Sequence, residues 1–181
     1  MTKPEMKQIE KLAQAHGMED FKWMDPRTII PRHWVREKCI YGCPRFGQKA
    51  CCPPEVPSVV ECKAFFKEYR YGLFYHLTKK FGDPKERFRW ARDVNKQVFA
   101  LEREVFLSGF YKAFAFTAAP CNLCEGCKNN KRECRNPLVS RPTLEAFGVD
   151  VYATARKMGY PLQVVKGYRE ETNRFGLLLV E

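Results

Sequence analysis

The stretch RYGLFYHLT (70–78), the turn FGDP (81–84), the run PKERFRWARDVNKQVFALEREVFLSG (84–109) and YKAFAFTA (111–118) together decide the fold. The first and last have strand composition, rich in aromatic and apolar residues. Between them, Val94, Val98, Leu101 and Val105 recur at helical spacing, with charged residues on the other faces. Pro84 suits the first turn of that helix and Gly109 its end. Strand, long helix, strand predicts a right-handed crossover unit in a sheet.

Outward from this unit, PEMKQIEKLAQAH (4–16) places Met6, Ile9, Leu12 and Ala13 on one helical face, closed by Gly17. In FKWMDPRTIIPRHWVREKC (21–39), Pro26 and Pro31 bracket a short extended piece leading to the first cysteines. CCPPEVP (51–57) is stiff and non-helical, and a helix restarts near Ser58 through VVECKAFFKEY. TLEAFGVDVYATARKMG (143–159) reads as helix, and PLQVV (161–165) and RFGLLLVE (174–181) as closing strands. The expected fold is α/β: a single domain over 1–181, with a small mixed sheet, flanking helices and two cysteine-rich metal-binding loops. Those loops span 39–54 and 120–137.

The chain has 181 residues, 45% of them hydrophobic and 14% aromatic, enough to fill one core. Nine cysteines stand against three histidines. The polar start lacks the apolar segment of a secretory signal, and no run of apolar residues is long enough to span a bilayer. A cytoplasmic location is therefore expected, with no membrane association. Clustered cysteines there serve metal or redox chemistry more often than disulfides.

The second group, Cys121-Asn-Leu-Cys124-Glu-Gly-Cys127 followed by Cys134, carries the sharper signal. Three thiols at intervals of three, closed by a fourth farther on, suit a [4Fe–4S] cube whose four irons each need a thiolate. Zinc more often takes two C-x2-C pairs or adds histidine, and no histidine follows His76. The first group is Cys39-Ile-Tyr-Gly-Cys43 with Cys51-Cys52-Pro53-Pro54. Its spacing is less diagnostic and leaves a second cluster, zinc or a metal-free redox pair open. Adjacent cysteines rarely both reach one metal. Cys52, stiffened by Pro53, is the expected ligand, and Cys51 either a spare or the fourth ligand of that site. With Cys39, Cys43 and Cys52 alone, one iron would keep an open position. Cys62, in a helical pattern with Phe65, Phe66 and Tyr69, reads as a small buried hydrophobe.

KCIYGCPRFGQKACCPP (38–54) and APCNLCEGCKNNKRECRNPLVSRPTLEAFGVDVYATARKMG (119–159) resemble the family of predicted metal-binding proteins called domain of unknown function 2284. The likeness runs from about residue 25 to the end. It implies metal, iron–sulfur in kind, at Cys39, Cys43 and Cys52 and at Cys121, Cys124, Cys127 and Cys134. It implies little about a reaction, and Cys51 and Cys62 fall outside its pattern.

The 32 Lys and Arg against 21 Asp and Glu leave a formal charge of +11. No nucleic-acid-binding motif accompanies it. Lys38, Arg45 and Lys49 flank the first group, and Lys128, Lys131, Arg132, Arg135 and Arg141 the second. They suit compensation of cluster charge or docking of an acidic redox partner. His33 and His76 read as surface or satisfied core residues, and Glu145 as a helix-dipole partner. The expected function is an iron–sulfur protein in electron transfer or a redox accessory role. The alternatives are an enzyme that activates a small soft, sulfur-containing ligand at an open iron, and a zinc-stabilised binding module.

Overall fold

The computed structural model describes residues 1–167 and 170–181. Helix α1 (Lys3–Ala15) opens the chain, one residue from the expected bounds, and leads to strand β1 (Asp20–Met24). Helix α2 (His33–Gly42) follows a single 3-10 turn at Pro26–Thr28. Helix α3 (Val59–Lys67) starts where Ser58 caps it, Ser58 Oγ accepting from Glu61 N at 3.3 Å while Glu61 accepts from Ser58 in return. Strand β2 (Gly72–Lys79), helix α4 (Pro84–Leu107) and strand β3 (Phe114–Phe116) form the central unit. Asp83 caps α4 through Glu86 N at 2.8 Å. Helix α5 (Val151–Lys157) and strand β4 (Thr172–Leu179) complete the chain.

The sheet order is β1-β2-β4-β3, with every neighbouring pair antiparallel. Because β2 and β3 both run antiparallel to β4, they are parallel to each other, and α4 crosses between them with β4 inserted in the gap. The result is the expected single α/β domain with a small sheet and flanking helices, the sheet being antiparallel throughout where a mixed one was expected.

Side chains alternate across the strands, so each face has its own core. Leu73, Tyr75, Ala115 and Leu178 meet α1 and α4 through Ile9, Val94, Val98 and Leu101. Phe74, Phe116, Phe175 and Leu177 meet α3, α5 and the 144–149 segment through Phe66, Leu144 and Phe147. Cys62 lies in this second core, fully buried, and burial pushes its thiol up to about 11.

Three further expectations change. The run 143–159 is not one helix: Gly148 adopts a left-handed φ of 76°, closing a 3-10 turn at Glu145–Phe147, and Asp150 starts α5 by accepting from Ala153 N at 2.9 Å. Residues 161–165 form no strand and pair with neither of the open sheet edges, β1 and β3. The piece between Pro26 and Pro31 holds a 3-10 turn rather than extended chain throughout, and Cys39 and the residues before it are helical.

One close approach sets the middle of the sheet. Tyr75 lies opposite Gly176, and its hydroxyl donates to Phe116 O at 2.7 Å, reaching β3 across β4. A Cβ at residue 176 would meet Tyr75 Oη at 2.1 Å and Phe116 O at 2.6 Å. Gly176→Ala is therefore expected to cost about 3 kcal/mol by urea denaturation. Gly82→Ala, which would meet only the Glu86 carboxylate at 3.6 Å, should stay within about 0.5 kcal/mol.

Candidate metal centre

Helix α2 carries the first two thiols. Cys39 and Cys43 are four residues apart, one turn along the same helical face, with Cys43 at the C-cap. Arg36 fixes this helix, donating from Nη2 to Pro57 O and to Ala146 O, each at 3.0 Å. Cys52 arrives from the turns that follow, where Cys52 N donates to Lys49 O at 3.1 Å and Gly47 N to Pro53 O at 3.2 Å. Cys39, Cys43 and Cys52 share the wall of a cavity of about 190 Å³ with Arg45, Lys49 and Arg174. Burial pushes the Cys52 thiol up to about 12, and the nearby Cys51, Cys39 and Cys43 add to this. Cys39 is raised by burial and then by Cys43. Raised thiols such as Cys52 and Cys39 ionise most readily beside a compensating cation, which a bound metal would supply.

The second group is held by α4 at both ends. At its entrance Arg92 Nε donates to Asn122 O at 3.1 Å, Asn95 Nδ2 to Pro120 O at 3.3 Å and Asn122 Nδ2 to Phe88 O at 2.8 Å. At its exit the Arg141 guanidinium forms an ion pair with Glu102, with Nε 2.7 Å from Oε2. The same Glu102 Oε2 accepts from Ala115 N of β3 at 2.8 Å. Cys121, Cys124, Cys127 and Cys134 line one cavity of about 20 Å³, room for a single water-sized object. Asn136 Nδ2 donates to Cys124 Sγ at 3.0 Å. Lys131 Nζ reaches Ser140 Oγ at 3.0 Å, and that hydroxyl lies 3.7 Å from Cys134 Sγ.

Cys51 is the residue for which spacing left two roles, a spare or the fourth ligand of the first site. It lines the second cavity beside Cys121 and is absent from the wall that Cys39, Cys43 and Cys52 share. Interaction with Cys121, opposed by burial and helped by Ser140, Lys131 and Arg141, lowers the Cys51 pKa, while Cys121 is raised. Adjacent side chains leave the backbone in different directions, so Cys52 faces one thiol group and Cys51 the other. Spacing alone treats the dipeptide as one motif and misses this division. The two loops are also joined directly. Glu55 Oε2 accepts from Lys131 N at 2.8 Å, and Asn129, with its amide turned to satisfy both acceptors, donates to Gln48 O at 2.8 Å and Cys127 O at 3.1 Å.

Among the described residues no three His, Cys, Asp or Glu side chains are gathered closely enough to hold one metal ion as they stand. His76 is occupied elsewhere, with Nδ1 2.8 Å from Asp20 Oδ2 and Nε2 2.7 Å from Asn173 Oδ1. Of the basic residues flanking the groups, Arg141 and Lys131 are engaged in the scaffold. The sequence reading passed over Arg174, a charge that opens the apolar run FGLLLV (175–180). That misfit was the available signal.

Soft thiol donors in two groups on one α/β scaffold, with no histidine among them, have the character of a metal-binding protein. The family model described as predicted metal-binding protein (DUF2284) matches residues 22–180, and the chain belongs to that family. No curated protein and no solved structure matches it. Among the described residues, no helix is long and apolar enough to cross a membrane.

Glu102→Gln leaves the Arg141 guanidinium, only 16% exposed at its side chain, without a charge partner. A loss of about 3 kcal/mol in denaturant unfolding is expected, with amide exchange accelerated around residues 115–141. Unchanged stability would mean that the ion pair does not hold the loop.

Proposed function

We propose that this protein binds iron–sulfur clusters and works in electron transfer, with a second role for the first site in holding a small soft ligand. The observation that carries the reading is the division of thiols: Cys121, Cys124, Cys127 and Cys134 around one cavity, and Cys39, Cys43 and Cys52 around another that Cys51 turns away from. Four thiolates make a closed set for a [4Fe–4S] centre, while three leave one iron with a position to exchange. The donor sets fit, being all-sulfur, with the amide of Asn136 on the Cys124 thiol as the kind of contact that adjusts a potential. A [4Fe–4S] cube is larger than the 20 Å³ space between these thiols, so loading would require the 121–134 segment to open. That segment has no helix or strand and no buried residue.

When bound, such clusters supply one-electron chemistry. The chain's residues do the rest. Lys128, Arg132 and Arg135, all exposed beside the second group, offer a positive surface to an acidic redox partner. Exposed thiolate centres of this sort belong in a reducing compartment, the cytoplasm. The three-thiol first site favours a second reading, an enzyme that activates a small sulfur-containing ligand there, because its wall opens onto free volume.

Protein purified without air is expected to show a broad visible band bleached by dithionite, with roughly eight iron and eight acid-labile sulfide per chain if both sites carry [4Fe–4S]. A colourless protein holding zinc alone would overturn the reading in favour of a zinc-stabilised module.

A further inference from the structure

A second cavity, of about 290 Å³, adjoins the first site and shares Cys39, Cys43, Glu145 and Arg174 with the 190 Å³ one. Its volume is that of roughly ten waters in the liquid. Trp34, Leu162 and Phe175 give it an apolar wall. Arg174 stands where the two volumes meet, projecting from β4, the central strand that β2 and β3 flank. Its guanidinium meets no hydrogen-bond or ion-pair partner among the described residues. Burial, and then the neighbouring Arg87, hold its pKa below the usual arginine range. A half-buried guanidinium without a partner is costly to keep, and planar anions satisfy it with paired hydrogen bonds.

We infer that the joined cavity is the binding site of a small organic acid, its carboxylate on Arg174 and its soft end toward Cys39, Cys43 and Cys52. The wall selects the class. Over the joined cavity Lys38, Arg45, Lys49 and Arg174 stand against Glu145 and Asp150, so an anion is favoured. Glu145 lines both volumes together with Arg174, and a planar, singly charged carboxylate meets it at less cost than a doubly charged phosphate. The apolar wall accommodates a short hydrocarbon body between the two ends. A thiol carboxylate such as 3-mercaptopropionate has this pattern. The soft end rests on the open-position reading of the first site, and the carboxylate end does not.

The test uses anaerobically purified full-length protein and three probes: 3-mercaptopropionate, propionate and 2-mercaptoethanol. Propionate is expected to bind in calorimetric titration of the wild type and not of Arg174→Gln, with Arg174→Lys retaining weaker binding. In visible spectra, 3-mercaptopropionate should act at about tenfold lower concentration than 2-mercaptoethanol, an advantage that Arg174→Gln removes. Circular dichroism and iron content check that the variants keep their fold and metal. Propionate binding indifferent to Arg174→Gln, or no propionate binding in a folded wild type, overturns the assignment. Arg174-dependent propionate binding with no spectral response to either thiol sustains the carboxylate site and removes the open position from the first centre.

Discussion

The buried carboxylate of Glu102 accepts from two directions, and the placement of the second thiol group follows from it. One oxygen takes the backbone N–H of Ala115 and so sets β3 against α4. Both oxygens face the Arg141 guanidinium, which closes the loop that left β3 at Phe116. Residues 118–141 have no helix or strand of their own, and this pair fixes the end of the segment as Arg92, Asn95 and Asn122 fix its start. Arg141 spends its remaining donors inside the same turn, on Leu138 O and Ser140 O, each at 3.0 Å. The long helix thus acts as a spine: its apolar stripe packs on the sheet, and its polar face holds the loop at entrance and exit.

The first thiol group is anchored differently, through Arg36 on a helix with only one buried residue, Val35. The two groups meet at Cys51 and Cys52, whose neighbouring side chains serve opposite cavities. One peptide bond therefore joins the walls of the two cavities, and Glu55 and Asn129 tie the two loops together beside it.

The parts of this architecture with strong periodicity were legible in the sequence. The α4 stripe of Val94, Val98, Leu101 and Val105, the flanking strands and the helix starts near Ser58 and at Pro84 follow from local chemistry. Helix α2 was not legible, because a helix burying a single side chain leaves no apolar stripe. Residues 161–165 have strand composition but pair with neither sheet edge, and Gly148 interrupts a helical pattern that reads as continuous. Within the thiol groups, spacing identified the cysteines gathered on each cavity wall. It could not assign Cys51, since the direction of a side chain in a turn depends on contacts from residues seventy positions away. Arg174 escaped for a related reason: its role comes from the cavity around it and not from its neighbours in the chain.

The central claim is that the cysteines form two separate centres, parted between Cys51 and Cys52. Iron per chain in Cys43→Ser and Cys124→Ser, each purified without air beside the wild type, tests it most directly. Each variant is expected to keep about half of the wild-type iron, the first losing the centre at Cys39, Cys43 and Cys52 and the second losing the other. A single substitution that removes all of the iron, or either one that removes none, would contradict the account.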